Sequence, residues 1–181
     1  MYYVIGALAL IVLVFIFIYN SLVSRRNGVD NAWSQVDVQL KRRLDLIPNL
    51  VETVKGYAVQ EKSTFEAVIA ARQSAMSAGP SPAEQSAPNN QISGALRQLF
   101  ALSEAYPDLK SNQNFLALQE ELSATEGRVA YARQFYNDEV LRLNEGIQKF
   151  PAIFIARMFG FAAREYFEAE PEAQTPPKVQ F

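Results

Sequence analysis

Residues Tyr2 to Tyr19, "YYVIGALALIVLVFIFIY", form an unbroken run of 18 apolar or aromatic residues, and the first charged side chain is Arg25. Coiled as a helix, the run is about 27 Å long, close to the hydrocarbon thickness of a bilayer. A chain that begins this way must place that surface in lipid or have it removed. A cleaved signal peptide needs a basic leading region, a shorter core and a small-x-small cleavage site. Here Met1 is followed directly by Tyr2, and "IYNSLVSRRN" offers no such site. The expectation is an uncleaved single-pass anchor over residues 1–24, with Tyr2, Ile5, Leu8, Ile11, Val14, Phe15, Ile18 and Tyr19 as its anchor residues.

Beyond the anchor, apolar positions fall at Val29, Trp33, Val36, Leu40, Leu44, Ile47, Val51, Val54, Ala58, Phe65 and Val68, with Arg72 in the same register. Steps of three and four describe one stripe of a long amphipathic helix. Pro48 lies inside the stripe and is expected to kink or restart it, because proline lacks an N–H and crowds the preceding turn. A second stripe runs through Phe115, Leu118, Leu122, Thr125, Val129, Ala132, Tyr136, Val140, Leu143, Ile147 and Phe150 before Pro151. Between the two, "SAGPSPAEQSAPNNQISG" at 77–94 reads as a Pro/Ser-rich linker without apolar period, and a short helix is expected over 95–105. No strand-like alternation persists. The reading is all-α: an N-terminal transmembrane helix followed by an antiparallel long-helix bundle or coiled coil of about four helices over 25–167. Residues 168–181 form an acidic, Pro-rich tail.

Composition narrows the chemistry. With no histidine and no cysteine there is no imidazole base, no Ser-His triad, no thiolate and no disulfide. A net charge of -2 suggests no nucleic-acid partner. The carboxylates Glu52, Glu120, Glu121, Glu126, Asp138 and Glu139 could serve only an all-oxygen hard-metal site, and they read better as members of surface ion pairs such as Lys41 with Asp45 or Asp138 with Arg142. No catalytic residue, cofactor or metal site is expected. "KRR" at 41–43 reads as a solvated face, or alternatively as a contact for anionic lipid or an acidic partner.

Arg25 and Arg26 follow the anchor and no basic side chain precedes it. By the positive-inside rule they place the N-terminus outside and the domain in the cytoplasm, with a periplasmic domain as the alternative. Asn27-Gly28 is turn-prone, yet one glycine costs a helix only about 1 kcal/mol, so a near-continuous rod with a weak joint at Gly28 is expected. The segment "FPAIFIARMFGFAAREYF", 150–167, is too interrupted by Arg157, Gly160, Arg164 and Glu165 to span a bilayer. Its first half reads as a bundle-closing helix that buries Ile153, Phe154 and Met158. The second half is either part of the bundle or an exposed patch for subunit or membrane contact. Phe154, Met158, Phe159, Phe161, Tyr166 and Phe167 are the interaction candidates.

Long phrases also resemble a known family. "YNSLVSRRNGVDNAWSQVDVQLKRRLDLIPNLVETVKGYA" (19–58), "EAYPDLKSNQNFLALQEELSATEGRVAYARQFYNDEVLRLNEGIQKFP" (104–151), "FGF" (159–161) and "PPKVQF" are similar to the bacterial LemA family. The resemblance implies a bacterial plasma (inner) membrane protein with a short external N-terminus, one span and a cytoplasmic helical bundle. It implies no reaction; its context is membrane stress, proteolysis and relatives on magnetosome membranes. Two positions depart from the family pattern. Gln60 precedes Glu61 where relatives carry a histidine, and Gly127 stands where they carry Asn. The function expected is a membrane-anchored scaffold or adaptor, homo-oligomeric, acting on an unidentified membrane protein. A carboxylate and divalent-metal hydrolase and a signal-transducing module are the alternatives.

Overall fold

A computed structural model describes residues 1–168. Among the described residues the architecture is an all-α bundle of six α-helices with no strand. In chain order they are α1 (Tyr2–Lys55), α2 (Lys62–Ser77), α3 (Pro82–Leu102), α4 (Pro107–Lys110), α5 (Gln113–Gln148) and α6 (Ala152–Met158), with a 3-10 turn at Ser103–Ala105 between α3 and α4. The chain divides into two compact units: residues 1–35 with 134–166, and residues 36–133 with the described residues 167–168. The tail expected over 168–181 lies, from 169 onward, outside the described residues.

In the larger unit, α1 buries Val36, Leu40, Arg43, Ile47, Leu50 and Val54, steps of four and three that trace one seam. Phe65, Val68, Ala71 and Ala75 of α2, Ile92, Ala95, Leu96 and Leu99 of α3, Leu109 of α4, and Phe115 and Leu122 of α5 complete that core with the α1 residues from Ile47 onward. The first stripe is divided at 56–61, where a turn separates α1 from α2. Tyr106 Oη donates to Glu61 Oε1 (3.1 Å) and Asn112 Nδ2 donates to Tyr57 Oη (2.8 Å), fastening that turn.

Pro48 does not interrupt α1. Without an N–H, it leaves the Leu44 carbonyl lacking its usual i+4 donor. Arg72 Nε of α2 supplies one, donating to Leu44 O at 3.1 Å. The arginine that shared the apolar register therefore repairs the proline's defect.

The expected linker at 77–94 is corrected. Only 78–81 lie outside helix, and α3 begins at Pro82. Ser81 and Glu84 form a reciprocal capping box, with Ser81 Oγ accepting from Glu84 N and Glu84 Oε2 accepting from Ser81 N, both at 3.2 Å. Proline at the first helical position loses no intrahelical bond there. The short helix expected at 95–105 is the end of α3 and the 3-10 turn.

In the smaller unit, α1 and α5 pair antiparallel. Arg25 Nη1 donates to Arg142 O (2.7 Å), and the Trp33 and Tyr136 rings lie 5.4 Å apart. A Cβ on Gly28 would stand 2.8 Å from Glu139 Oε2, so the glycine expected to be a joint is a point of close approach inside continuous helix. After α6 the chain turns at Gly160, whose φ of +69° is left-handed. Phe161 N donates back to Ala156 O at 2.9 Å, closing the helix end. The returning segment is held by Asn144, whose side chain bonds both the N–H and the C=O of Arg164 (2.9 and 3.0 Å). Tyr136 Oη donates to Glu165 O (2.8 Å), and Arg164 pairs with Asp30 (2.8 Å).

Candidate functional site

Two places carry unusual chemistry. The first is the anchor end of the smaller unit. Met1 to Val14 are exposed throughout, including Tyr2, Ile5, Leu8, Ile11 and Val14. This is the one helix among the described residues long and apolar enough to cross a membrane. From Phe15 one face becomes covered. Phe15, Ile18 and Tyr19 pack with buried Leu22 against Ile155 and Ala156 of α6. The Phe159 ring meets Tyr19 at 4.8 Å and Phe15 at 5.8 Å, both edge-on, and Phe161 meets Tyr19 at 5.9 Å. Arg26 lies 5.4 Å over the Phe161 ring. Both topology arginines thus touch the unit at its surface, half-buried Arg25 on a carbonyl of α5 and exposed Arg26 over an aromatic face.

The interaction candidates separate. Phe154 and Met158, expected to be buried as α6 closes the bundle, are exposed instead, because α6 turns Ile155 and Ala156 inward; Phe159 and Tyr166 are exposed as well, and Phe161 is half-buried. Phe167, left open between the bundle and an exposed patch, is buried: it belongs to the larger unit, where the Arg133 guanidinium lies 4.4 Å over its ring. A cation above an aromatic face removes both from water at low cost, and no apolar pattern announces such a pair. Phe150, which closed the second stripe, is exposed because α5 ends at Gln148.

The second place is Arg43, with 0% of its side chain exposed. Nη1 donates to Glu126 (2.5 Å) and to Ser93 Oγ (3.0 Å); Nη2 donates to the Asn89 carbonyl (3.1 Å) and to Asn89 Oδ1 (2.8 Å). Ser93 Oγ in turn donates to Glu126 Oε1 (2.8 Å), and Asn89 Nδ2 is turned onto Gln85 by bonds of 2.8 and 3.0 Å. Arginine's planar fork suits this division between a carboxylate and an amide. Burial alone would raise the Glu126 pKa. The Arg43 charge, hydrogen bonds from Ser93 and Arg43, and the Arg133 charge prevail and hold it below 4.5.

The solvated face expected for "KRR" holds for Lys41 and Arg42 and is corrected at Arg43. Lys41 pairs with Asp37 (2.6 Å) and Arg42 with Glu121 (2.9 Å) at the surface, while Arg43 turns inward. The available signal was register: 36, 40, 43 and 47 keep the three-four spacing, whereas Leu44, chosen for its apolarity, is only half-buried. Glu121, Glu126 and Glu139 each face an arginine. Among the described residues no three His, Cys, Asp or Glu side chains gather as a metal site.

The LemA family model matches residues 32–181, a span that includes Arg43, Asn89, Ser93 and Glu126. The chain belongs to the LemA family. Magnetosome protein MamQ of Magnetospirillum gryphiswaldense is 27% identical over 183 residues, covering 87% of this chain and 67% of that protein. Magnetosome protein MamQ 2 of Paramagnetospirillum magneticum matches to the same extent. Protein LemA of Metamycoplasma hominis is 28% identical over 144 residues, covering 76% of this chain and 64% of that protein. With the apolar N-terminal helix, membership of this family marks a membrane-associated protein.

Proposed function

We propose that this LemA-family chain is a non-enzymatic, membrane-anchored helical scaffold or adaptor. It acts through protein contacts, as a homo-oligomer, on membrane partners engaged in membrane stress or protein quality control. The observation that carries the reading is the behaviour of α1. The helix that exposes apolar side chains on every face from Met1 to Val14 goes on to bury Leu22, Val29 and Ala32. One element thus serves as anchor and as structural member of the domain. Cleavage near Ser24 would remove Phe15, Ile18, Tyr19 and Leu22 from the packing against α6, which favours an anchor over a signal peptide.

The mechanism is geometric. Confinement to the membrane plane raises the effective concentration of the domain for itself and for partners, so weak contacts suffice. The two arginines after the anchor favour a domain on the cytoplasmic face of the bacterial plasma membrane. Mass measurement of the full chain in mild detergent and in lipid nanodiscs tests the assembly: discrete oligomers are expected, and a strict monomer at every concentration refutes it. Protease accessibility in intact cells tests the orientation.

A further inference from the structure

We propose that Phe150, Phe154 and Met158 form a second membrane contact: a wedge seated at the boundary between headgroups and acyl chains, in the leaflet nearest the domain and beside the anchor. The inference rests on the anchor in the function proposed above and not on its scaffold role.

Packing fixes the depth of the segment. Ile155 and Ala156 lie against Leu22, with Phe15, Ile18 and Tyr19 around them, and Phe159 is edge-on to both Phe15 and Tyr19. Phe15 is four residues, or about 6 Å, inside the Tyr19 end of the apolar run. Leu22 is about 5 Å beyond that end. When the run Tyr2–Tyr19 occupies the hydrocarbon, α6 is carried to its last few ångströms and into the headgroups. Interfacial helices bury their apolar faces to that level, about 5–10 Å.

The face α6 turns away from the anchor is the wrong one for water. Phe150 is 82% exposed, Phe154 62% and Met158 69%. They succeed one another at four-residue spacing, and the rings of Phe150 and Phe154 meet edge-on at 6.0 Å. Ile155 and Ala156 of the same helix are the residues turned into the packing. Between Phe150 and Ala163 the only charged residue is Arg157, and Lys149 precedes the stretch. Long basic side chains at the margins of an apolar face can reach the headgroups while their stems lie over apolar surface. An apolar stripe on the helix that packs against Phe15 to Leu22 has its occupant close by: the same acyl chains that cover Met1 to Val14. The anchor is then held at two points, which fixes its rotation as well as its depth.

The full chain carries one tryptophan, Trp33, fourteen residues or about 21 Å of helix beyond Tyr19. Phe154→Trp and, separately, Met158→Trp are reconstituted in phosphatidylcholine and phosphatidylglycerol vesicles whose acyl chains are brominated, and the parent's Trp33 emission is subtracted. Circular dichroism confirms that each variant keeps the parent's helix content. The added indole is expected to emit at shorter wavelength, to lose most of its intensity to the bromines and to be shielded from aqueous iodide, while Trp33 is unaffected by bromine. An added indole that iodide quenches and bromine does not overturns the proposal. Shielding that appears only at high protein-to-lipid ratio also overturns it, because a second copy is then the occupant.

Discussion

The Arg43 network makes an asymmetric demand on its two charged members. Glu126→Ala strands a guanidinium that has no exposed surface, and breaking a buried pair in this way costs about 3–5 kcal/mol. Ser93 and Asn89 remain as partners, so the lower end, about 3 kcal/mol, is expected. Arg43→Met removes the buried charge itself. The Glu126 side chain, 43% exposed, then turns to water, and the main residual penalty is the Asn89 Oδ1 acceptor left without its donor. That penalty is about 1–3 kcal/mol, offset in part by burial of the methionine. For a chain of this size each kcal/mol moves Tm by about 2–4 °C, so about 6–12 °C is expected for Glu126→Ala and half that or less for Arg43→Met. The double variant should resemble Arg43→Met, because no charge remains to be stranded. The assay is thermal unfolding of the full chain in mild detergent, followed by circular dichroism and Trp33 emission. Refutation is plain: Arg43→Met as damaging as Glu126→Ala, or Glu126→Ala without effect.

Three further outcomes follow from named contacts. Glu126 has a folded pKa below 4.5, so its ionised form contributes stability above about pH 4.5 that is lost as pH falls through the folded value; the stability gap between parent and Glu126→Gln should narrow on acidification. Arg72→Met should cost about 1–3 kcal/mol by leaving the Leu44 carbonyl unpaired, and Pro48→Ala, which restores the missing N–H, should stabilise that variant more than it stabilises the parent; equal gains in both backgrounds would show that Arg72 does not compensate the proline. Ser81→Ala should lower stability by about 1 kcal/mol in chemical unfolding through loss of the α3 cap, and no change would show that α3 does not depend on it.

Where apolar periodicity was uninterrupted, the sequence read true: the second stripe buries Phe115, Leu122, Thr125, Val129, Ala132, Tyr136, Val140 and Leu143 along α5. It failed where a helix buries polar atoms. Ser86, Asn89 and Ser93 are all buried, and they share α3 with Ile92, Leu96 and Leu99. Their polarity, with Pro82 and Pro88, made 77–94 look like linker, although 86, 89, 93 and 96 keep helical spacing. The face is polar because it receives Arg43, and Arg43 is tolerated because that face is polar. Neither half is recognisable until α1, α3 and α5 are brought together. The same holds for Phe167, whose partner Arg133 is 34 positions away in sequence (167 minus 133) and has no patterned relation to it.

The central claim is that α1 is retained as both the membrane anchor and the first helix of the domain. Intact-mass measurement of the protein recovered from native membranes, before and after alkaline carbonate washing, addresses it most directly. The account predicts a carbonate-resistant chain that still carries residues 2–24. A soluble chain shortened to begin near Arg25 would contradict it.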